Sequence, residues 1–460
     1  MNVKHVVTSF LRFDGKVLIL KRSDRVSSYK GKWAGISGYL EKGEDPQARA
    51  VKEIEEELGL TKDRINLIKQ GDPLIVVDKD HGVVWVVYPF LFDTNSDTIR
   101  LNWEHVESRW IEPHEILKYS TVPMLKEALE RVAPTSLHPQ TITIDAIIKD
   151  EIDKVRNDRE HGSVWLAIEA LKILKLASER IETSSLNEFI RYLMTLGREL
   201  ILSRPSMAPL TNLIGSVLYR LLSYSKSKGF EHSISNMKAF ISSEIDKVID
   251  ETRSAVLKVA KYASDLIPDD ATIITHSFSS TVLQTLKYAL QEGKRMSVYI
   301  TESRPLFEGR KLAEGLLLEG KGENVVVTLI TDSAAGYFVG DSDLVLVGAD
   351  SILTDGSLVN KVGTYSLALA AKDKGVPFYT VCEKCKFDVR SYLGLRFTLE
   401  EKDPSEILYP NAPPSIKARN IYFDITPSRY ITEIIMEEGR IKPGEVIQHM
   451  ERIVENIYLP

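Results

Sequence analysis

Three glutamates in the run Lys52-Glu53-Ile54-Glu55-Glu56-Glu57-Leu58-Gly59-Leu60 carry the clearest chemistry in the first part of the chain. On a helix Glu53, Glu56 and Glu57 stand at i, i+3 and i+4 and share a face, where like charges repel by roughly 0.2–0.5 kcal/mol per pair. A hard divalent cation reverses the sign of that repulsion, because Mg²⁺ and Mn²⁺ prefer oxygen ligands. Such an ion polarises a phosphoryl oxygen and activates a water for attack on a diphosphate. A run of glutamates is more often a solvated helix face, and Glu55 fits that description. Glu104, in the stretch NWEHVESRW, is a candidate further metal or base carboxylate.

A second group of polar residues recurs at corresponding places later in the chain. Short apolar runs end at His276-Ser277, Glu302-Ser303-Arg304-Pro305, Asp332, Ala349-Asp350 and Cys382-Glu383-Lys384. In an open parallel sheet, ligands bind beyond the carboxyl ends of the strands. Arg304 offers a fork for phosphate. Asn360-Lys361-Val362-Gly363-Thr364 offers an amide, a point charge and a small-residue turn before a helix, which predicts an anion pocket at that helix N-terminus. His276 reads equally well as a satisfied strand-end histidine or a catalytic one. Cys382 and Cys385 form a lone pair after a strand, which favours incidental thiols over zinc or redox chemistry.

The elements that must position these groups are legible in outline. Residues 1–132 read as strands around an acidic helix: HVVTSFLRF and KVLILKR flank the hairpin signal Asp14-Gly15, the helix starts after Asp45-Pro46 and stops at Gly59, GVVWVVYPFLF is a buried-type strand, and a helix near MLKEALERV closes the unit. Residues 133–140, with Pro134 and Pro139, read as a linker. Residues 141–265 carry apolar positions at helical spacing. From 266 to 460, ATIITHS, RMSVYIT, VVVTLIT, LVLVGAD and PFYTVC alternate with helix-length segments and predict βαβ units around a parallel sheet. The end, SRYITEIIMEEGRIKPGEVIQHMERIV, reads as helical around a break at Gly439–Pro443.

Composition excludes several classes. Of 460 residues, 59 are Lys or Arg and 65 are Asp or Glu, a net charge of -6 that leaves no broad basic surface for nucleic acid. Two cysteines exclude a disulfide framework. No apolar run is long enough for a membrane span, and the start, interrupted by Arg12, Asp14 and Lys16, offers no signal-peptide core, so a cytoplasmic protein is expected.

The spacing of Gly38, Glu44, Glu53, Ile54, Glu56, Glu57, Gly59 and Leu60 resembles the Nudix box, in register throughout. The resemblance implies a Nudix pyrophosphohydrolase of a nucleoside-diphosphate derivative, with Glu53, Glu56 and Glu57 as catalytic residues holding Mg²⁺ or Mn²⁺. Lys52 stands where the family has an Arg that braces a neighbouring Glu. Lys keeps the charge and loses the bidentate geometry.

THSFSSTVLQTLKYA, VYITESRPLFEGRKLAEGL, DSAAGYFV, DLVLVGAD and NKVGTYSLALAAKDKGVPFY are similar to a second family, over roughly residues 145–455 and including SRPSMAPLTN. That family unites the regulatory subunits of translation initiation factor 2B with isomerases of methylthioribose 1-phosphate and ribose 1,5-bisphosphate. The isomerases use a Cys after the Thr-His of the first strand and the Asp of Gly-Ala-Asp. Asp350 keeps the second, and Ser277 replaces the first. An unassisted hydroxyl exchanges protons with a sugar carbon far less well than a thiol. The resemblance therefore implies binding of a sugar phosphate or nucleotide, involving Arg304, Asn360, Lys361, Ser277 and His276, without isomerase turnover. It also implies a homo-oligomer. Other readings are a regulatory protein contacting initiation factor 2, or an aldose–ketose isomerase working with Ser277. An ADP-ribose-like diphosphate is the favoured substrate, because its cleavage yields AMP and a ribose phosphate of the kind the second family handles. The fold expected is multidomain α/β: a Nudix α/β/α sandwich with a mixed sheet, a helical segment, and a Rossmann-like parallel-sheet domain.

Overall fold

The computed structural model describes residues 1–79, 81–133, 143–227, 233–318, 324–395, 397, 399 and 401–459. It divides into two compact units, Met1–Thr143 and Ile144–Tyr458 apart from the last two residues. The linker expected at 133–140 lies, beyond Ala133, outside the described residues.

The first unit is built on a mixed sheet. β1 (Asn2–Phe13) turns through Asp14 and Gly15, both at positive φ, into β2 (Lys16–Arg22). β3 (Trp33–Ala34), β4 (Ile36–Tyr39), β5 (Ile65–Gln70), β6 (Leu74–Asp78), β7 (Val83–Thr94) and β8 (His105–Ile111) complete it. The path runs β3-β2-β1-β7-β5, and β1 and β7 pair in parallel from Asn2↔Val83 to Arg12↔Asp93. Successive side chains of a strand point to opposite faces. Leu11, Leu18 and Leu20 therefore pack with Ile54 and Leu58 of helix α1 (Pro46–Leu58), while Phe10, Val17 and Ile19 pack with Leu125 and Leu129 of helix α2 (Leu125–Val132) on the other side. The result is an α/β/α sandwich.

The second unit begins with helices Ala146–Asn157, Ser163–Arg180, Leu186–Ser203, Ala208–Ser225 and Ile234–Ser264. Then come β9 (Ala271–Thr275), β10 (Met296–Thr301), β11 (Val325–Ile330), β12 (Leu344–Val347), β13 (Ser351–Ile352), β14 (Leu358–Lys361), β15 (Phe378–Val381), β16 (Glu401–Lys402), β17 (Asn420–Ile421), β18 (Phe423–Thr426), β19 (Glu433–Met436) and β20 (Gly439–Ile441). The main sheet has the order β11-β10-β9-β12-β15-β19-β20 and is parallel except for β20. Counting only its parallel members, that is 3-2-1-4-5-6, the doubly wound order whose direction reverses between the first and fourth strands. β13, β14 and β18 form a small antiparallel sheet.

One expectation fails at the carboxyl end. Glu433–Met436 is a strand paired with β15, not a helix, and only Val446–Val454 is helical beyond the break. Ile434, Ile435 and Met436 are buried on both faces of the sheet, and so short an apolar run carries no periodicity to tell strand from helix. Gly439, at φ +119, makes the turn into β20 that a helix would not need. Among the described residues no helix is long and apolar enough to cross a membrane.

Candidate functional site

α1 is held at both ends by its own sequence. Asp45 accepts the Ala48 N–H at 2.8 Å, Pro46 takes the first position, and Gly59, in the left-handed region, donates to the Glu55 carbonyl at 2.9 Å. With Ala50, Ile54 and Leu58 on the sheet, Glu53 and Glu57 are drawn under the helix and Glu55 and Glu56 stay exposed. The backbone leaves room for this at one residue: a Cβ on Gly38 would lie 1.7 Å from Glu53 Oε1.

Each acid has its own surroundings. Arg49, one turn before Glu53, donates to Glu53 Oε1. Glu57 Oε1 accepts the Ser37 N–H at 3.1 Å, whereas Glu57 Oε2 is buried without a hydrogen-bond partner and faces His105 Nδ1 at 3.5 Å. Lys52 reaches Glu56 at 3.5 Å on the exposed side, a contact worth little. Glu53 is thus held by Arg49, while Lys52 reaches Glu56. Glu44 accepts the Glu41 N–H at 3.0 Å and closes its own loop.

Burial raises the Glu53 carboxyl above its usual range against the pull of Arg49, with Glu56 and Glu104 pushing the same way as burial. Burial raises Glu57 much further, opposed by the Ser37 N–H and reinforced by Glu53 and Glu104. His105 is depressed to about 4, by burial first and then by Arg22, so its ring is neutral at physiological pH. The acids open onto a cavity of about 480 Å³, to which Glu53, Glu56 and Glu104 contribute one sign of charge and Arg22, Arg25 and Arg49 the other. Tyr39 and Trp85, with ring centres 6.1 Å apart and the Lys4 ammonium over both, give it an aromatic wall.

Among the described residues no three acidic, His or Cys side chains already stand as a metal cage. The donor set nevertheless fits a hard cation: a buried carboxylate oxygen lacks any partner, and burial, reinforced by neighbouring carboxylates, holds Glu53 and Glu57 above their usual range. Glu56 must turn from Lys52 to join them.

In the second unit the reversal of strand order puts the ends of β9 and β12 side by side. Ser277, which follows β9, and Asp350, which follows β12, line one cavity of about 340 Å³ together with Lys361, Arg204, Glu308 and Tyr422. Lys361 donates to Glu308 Oε1 at 2.6 Å and lies 4.2 Å from the Tyr422 ring centre. Burial raises the Asp350 carboxyl, with Lys386 the largest opposing influence. Arg204 is buried. It donates to the Arg156 carbonyl at 3.1 Å, and its Nε has no partner. Nothing in SRPSMAPLTN marked Arg204 as a site residue, because the helix that brings it there is distant in sequence.

Three expectations about this site need correction. Arg304 is exposed, sits over the Phe307 ring at 5.1 Å and does not line the cavity. His276 is tied at both ring nitrogens, to Thr301 Oγ1 at 2.6 Å and the Val362 carbonyl at 2.8 Å, and its ring takes the space a Gly363 side chain would fill. The N-terminus of the helix Thr364–Lys374 holds no vacancy for an anion, because Asp424 accepts from Gly363 at 2.7 Å and Tyr365 at 3.2 Å. Asn360 also turns inward, donating to Thr364 Oγ1 at 3.1 Å. Of the residues expected here, Ser277, Lys361 and Asp350 are brought together. Cys382 and Cys385 are held protonated by burial, as inert thiols are.

A family model described as the initiation factor 2 subunit family matches residues 159–443, and one described as the NUDIX domain matches residues 3–132. The ribose 1,5-bisphosphate isomerase of Methanocaldococcus jannaschii is 35% identical over 298 residues, 65% of this chain and 92% of that protein. The methylthioribose-1-phosphate isomerase of Pelotomaculum thermopropionicum is 33% identical over 309 residues, 64% of this chain and 82% of that protein. The crystal structure of translation initiation factor eIF-2B from Pyrococcus horikoshii OT3 superposes with a TM-score of 0.57 at 32% identity, covering 66% of this chain and 100% of that one.

Proposed function

The chain belongs to the initiation factor 2 subunit family and carries a NUDIX domain ahead of it, and from that premise we propose that it joins a diphosphate hydrolase to a receptor for a phosphorylated product. The first unit cleaves a nucleoside-diphosphate derivative, with ADP-ribose-like compounds favoured. The observation that carries this is the partnerless buried oxygen of Glu57, next to Glu53, which with Glu56 and Glu104 makes the acidic side of a cavity whose other charges are arginines. Glu53, Glu56 and Glu57 would hold Mg²⁺ or Mn²⁺, which when bound polarises phosphoryl oxygens and lowers the pKa of water. Arg49 fixes Glu53; Arg22 and Arg25 offset phosphate charge; Trp85 and Tyr39 offer flat apolar surface to a base. Glu104, which lines the same cavity, would take a proton from an attacking water.

The second unit binds a sugar phosphate or nucleotide at the strand reversal. Lys361 and Arg204 oppose the phosphate, Asp350 and Glu308 accept hydroxyls, and Ser277 occupies the place of a thiol. The buried Arg204 guanidinium with an unsatisfied Nε supports the anion. Cleavage of an ADP-ribose-like diphosphate would supply AMP and a ribose phosphate to that site, in a homo-oligomer.

The test is release of phosphorylated product in a screen of ADP-ribose, dinucleoside polyphosphates, NADH and nucleotide sugars with Mg²⁺. Glu56→Gln with Glu57→Gln should abolish it; unchanged release in that variant removes the hydrolase. Calorimetry with AMP and ribose 5-phosphate tests the second site, and Arg204→Leu should lose the heat. A second reading, isomerisation at Ser277 and Asp350, is favoured by their sharing one cavity. It requires that Ser277→Cys raise turnover of ribose 1,5-bisphosphate or methylthioribose 1-phosphate sharply, and no rise in either removes it.

A further inference from the structure

His105 is the first residue of β8, and the strand is irregular at that point. β2 and β8 pair residue for residue from Val17↔Ile111 to Lys21↔Glu107, then slip, so that Arg22 faces His105 and Val106 is left over. The slip decides which side chain looks inward. Leu18 and Leu20 of β2 point into the core under α1, and their partners on β8 are Trp110 and Ser108, even-numbered residues. Continued without interruption, that alternation would turn Val106 toward α1 and His105 away from it. The extra residue exchanges the two: Val106 is 63% exposed, and the His105 side chain is 2% exposed against Glu57. A bulge that re-aims a side chain is a familiar device beside functional sites.

What the bulge delivers is an unusual buried contact. Neither His105 nitrogen has a hydrogen-bond partner, and neither has Glu57 Oε2, although His105 Nδ1 and that oxygen are 3.5 Å apart and both side chains are almost fully enclosed. Each buried polar atom left unsatisfied forfeits its hydration without a replacement bond and destabilises the fold. A histidine placed there only to fill space carries that cost with no return, and an apolar residue would fill the space without it. The opposite oxygen of Glu57 is already fixed by the Ser37 N–H.

We infer that His105 is a positioning residue for Glu57: its ring N–H closes on Glu57 Oε2 and fixes the rotation of that carboxylate toward the divalent cation proposed above. The inference rests on the metal reading of the first unit and adds the residue that orients one of its ligands. Carboxylates that ligate a metal are themselves held by hydrogen bonds from an outer group, and loss of such a supporting contact typically weakens metal binding by about 10–100-fold. Glu57 is the residue that gains from it, since Glu53 already has Arg49 and Glu56 lies in solvent.

The experiment is Mn²⁺ titration of the full chain by calorimetry, without substrate. Wild type should bind and Glu57→Gln should not. His105→Leu should bind about 10–100-fold more weakly, and His105→Gln, which restores an N–H donor, should recover most of the loss. In a chain labelled with ¹⁵N only at histidine, the ring resonance that disappears in His105→Gln should move when Mg²⁺ is added to the wild type, a readout that needs no variant to be as stable as the parent. Wild-type affinity in His105→Leu, equal losses in the Leu and Gln variants, or a His105 resonance indifferent to Mg²⁺ each overturn the positioning role alone. No Mn²⁺ binding by the wild type overturns the metal reading and this inference with it.

Discussion

Replacing Asp424 by Asn should stabilise the second unit at neutral pH and do much less in acid. The carboxylate sits in the small sheet on β18 and caps the helix Thr364–Lys374, accepting from the Gly363 and Tyr365 backbones, yet burial outweighs those two bonds and lifts its pKa from 3.8 to about 6. A carboxyl whose folded pKa lies above its unfolded one holds its proton more tightly in the folded chain. Below about pH 4 both states are protonated and the group is neutral in the balance. Between about pH 4 and 6 the unfolded chain releases the proton while the folded chain keeps it, so stability falls as pH rises, and above about pH 6 the whole penalty is present. The gap between 3.8 and about 6 corresponds to about 3 kcal/mol. Asn with its oxygen where Asp424 Oδ2 lies keeps both backbone bonds, since that oxygen accepts from Gly363 at 2.7 Å and from Tyr365 at 3.2 Å, and it carries no charge to desolvate. The expected gain is therefore about 3 kcal/mol at about pH 8 and about 1 kcal/mol at about pH 4.5. Urea unfolding followed by circular dichroism at the two pH values measures it. A gain that is the same at both, or a loss at about pH 8, would show that attraction between the carboxylate and the helix end exceeds the cost of burying it, and the reasoning would fail.

Gly38→Ala forces a methyl into the place of Glu53 Oε1, and a misplacement of about 1 Å lowers turnover on the order of 100-fold; kcat for the diphosphate substrate measures it, with little change expected in ligand binding by the second unit. Glu383→Gln leaves Lys386, paired at 3.1 Å with both side chains at most 5% exposed, as a buried unmatched charge; chemical unfolding should show a loss of about 3–5 kcal/mol, largely recovered when Lys386→Met is added. Mg²⁺ or Mn²⁺ at about 100 times its dissociation constant should stabilise the first unit by about 2.7 kcal/mol, seen as a rise in melting temperature that the Glu56→Gln, Glu57→Gln variant lacks.

Residues that act through their own element were readable. The three glutamates are fixed by helical spacing, and Asp45, Pro46 and Gly59 set where that helix begins and ends. The five apolar runs ending in polar residues became parallel strands, and their order places Ser277 and Asp350 at the one crevice where a doubly wound sheet opens. Arg49 is legible in the same way: it stands four residues before Glu53, the spacing of a helical ion pair. What misled was local promise that tertiary contact had already claimed. Asn360-Lys361-Val362-Gly363-Thr364 has the build of an anion site, but Asp424 is brought back across the small sheet to fill it, at a separation in sequence that spacing does not reveal. Arg304 follows β10, and the segment after that strand does reach the cavity through Glu308, but the Arg304 side chain lies over the Phe307 ring and stays exposed, which its place in the sequence does not reveal.

The two units invert the same electrostatic problem. In the first, Arg49 donates to Glu53 and the charge of Arg22 acts on Glu57, yet Glu57 Oε2 keeps no hydrogen-bond partner. In the second, the buried cations Lys361 and Lys386 each have a carboxylate, Glu308 and Glu383, whereas Arg204, at the cavity, keeps its Nε unsatisfied. Buried charge persists where something neutralises it. The unmatched signs are therefore the informative ones: negative where a metal would sit, positive where a phosphate would. An occupant that left Glu57 or Arg204 unpaired would leave that imbalance in place, so each site is expected to select ligands by the sign of charge before their shape.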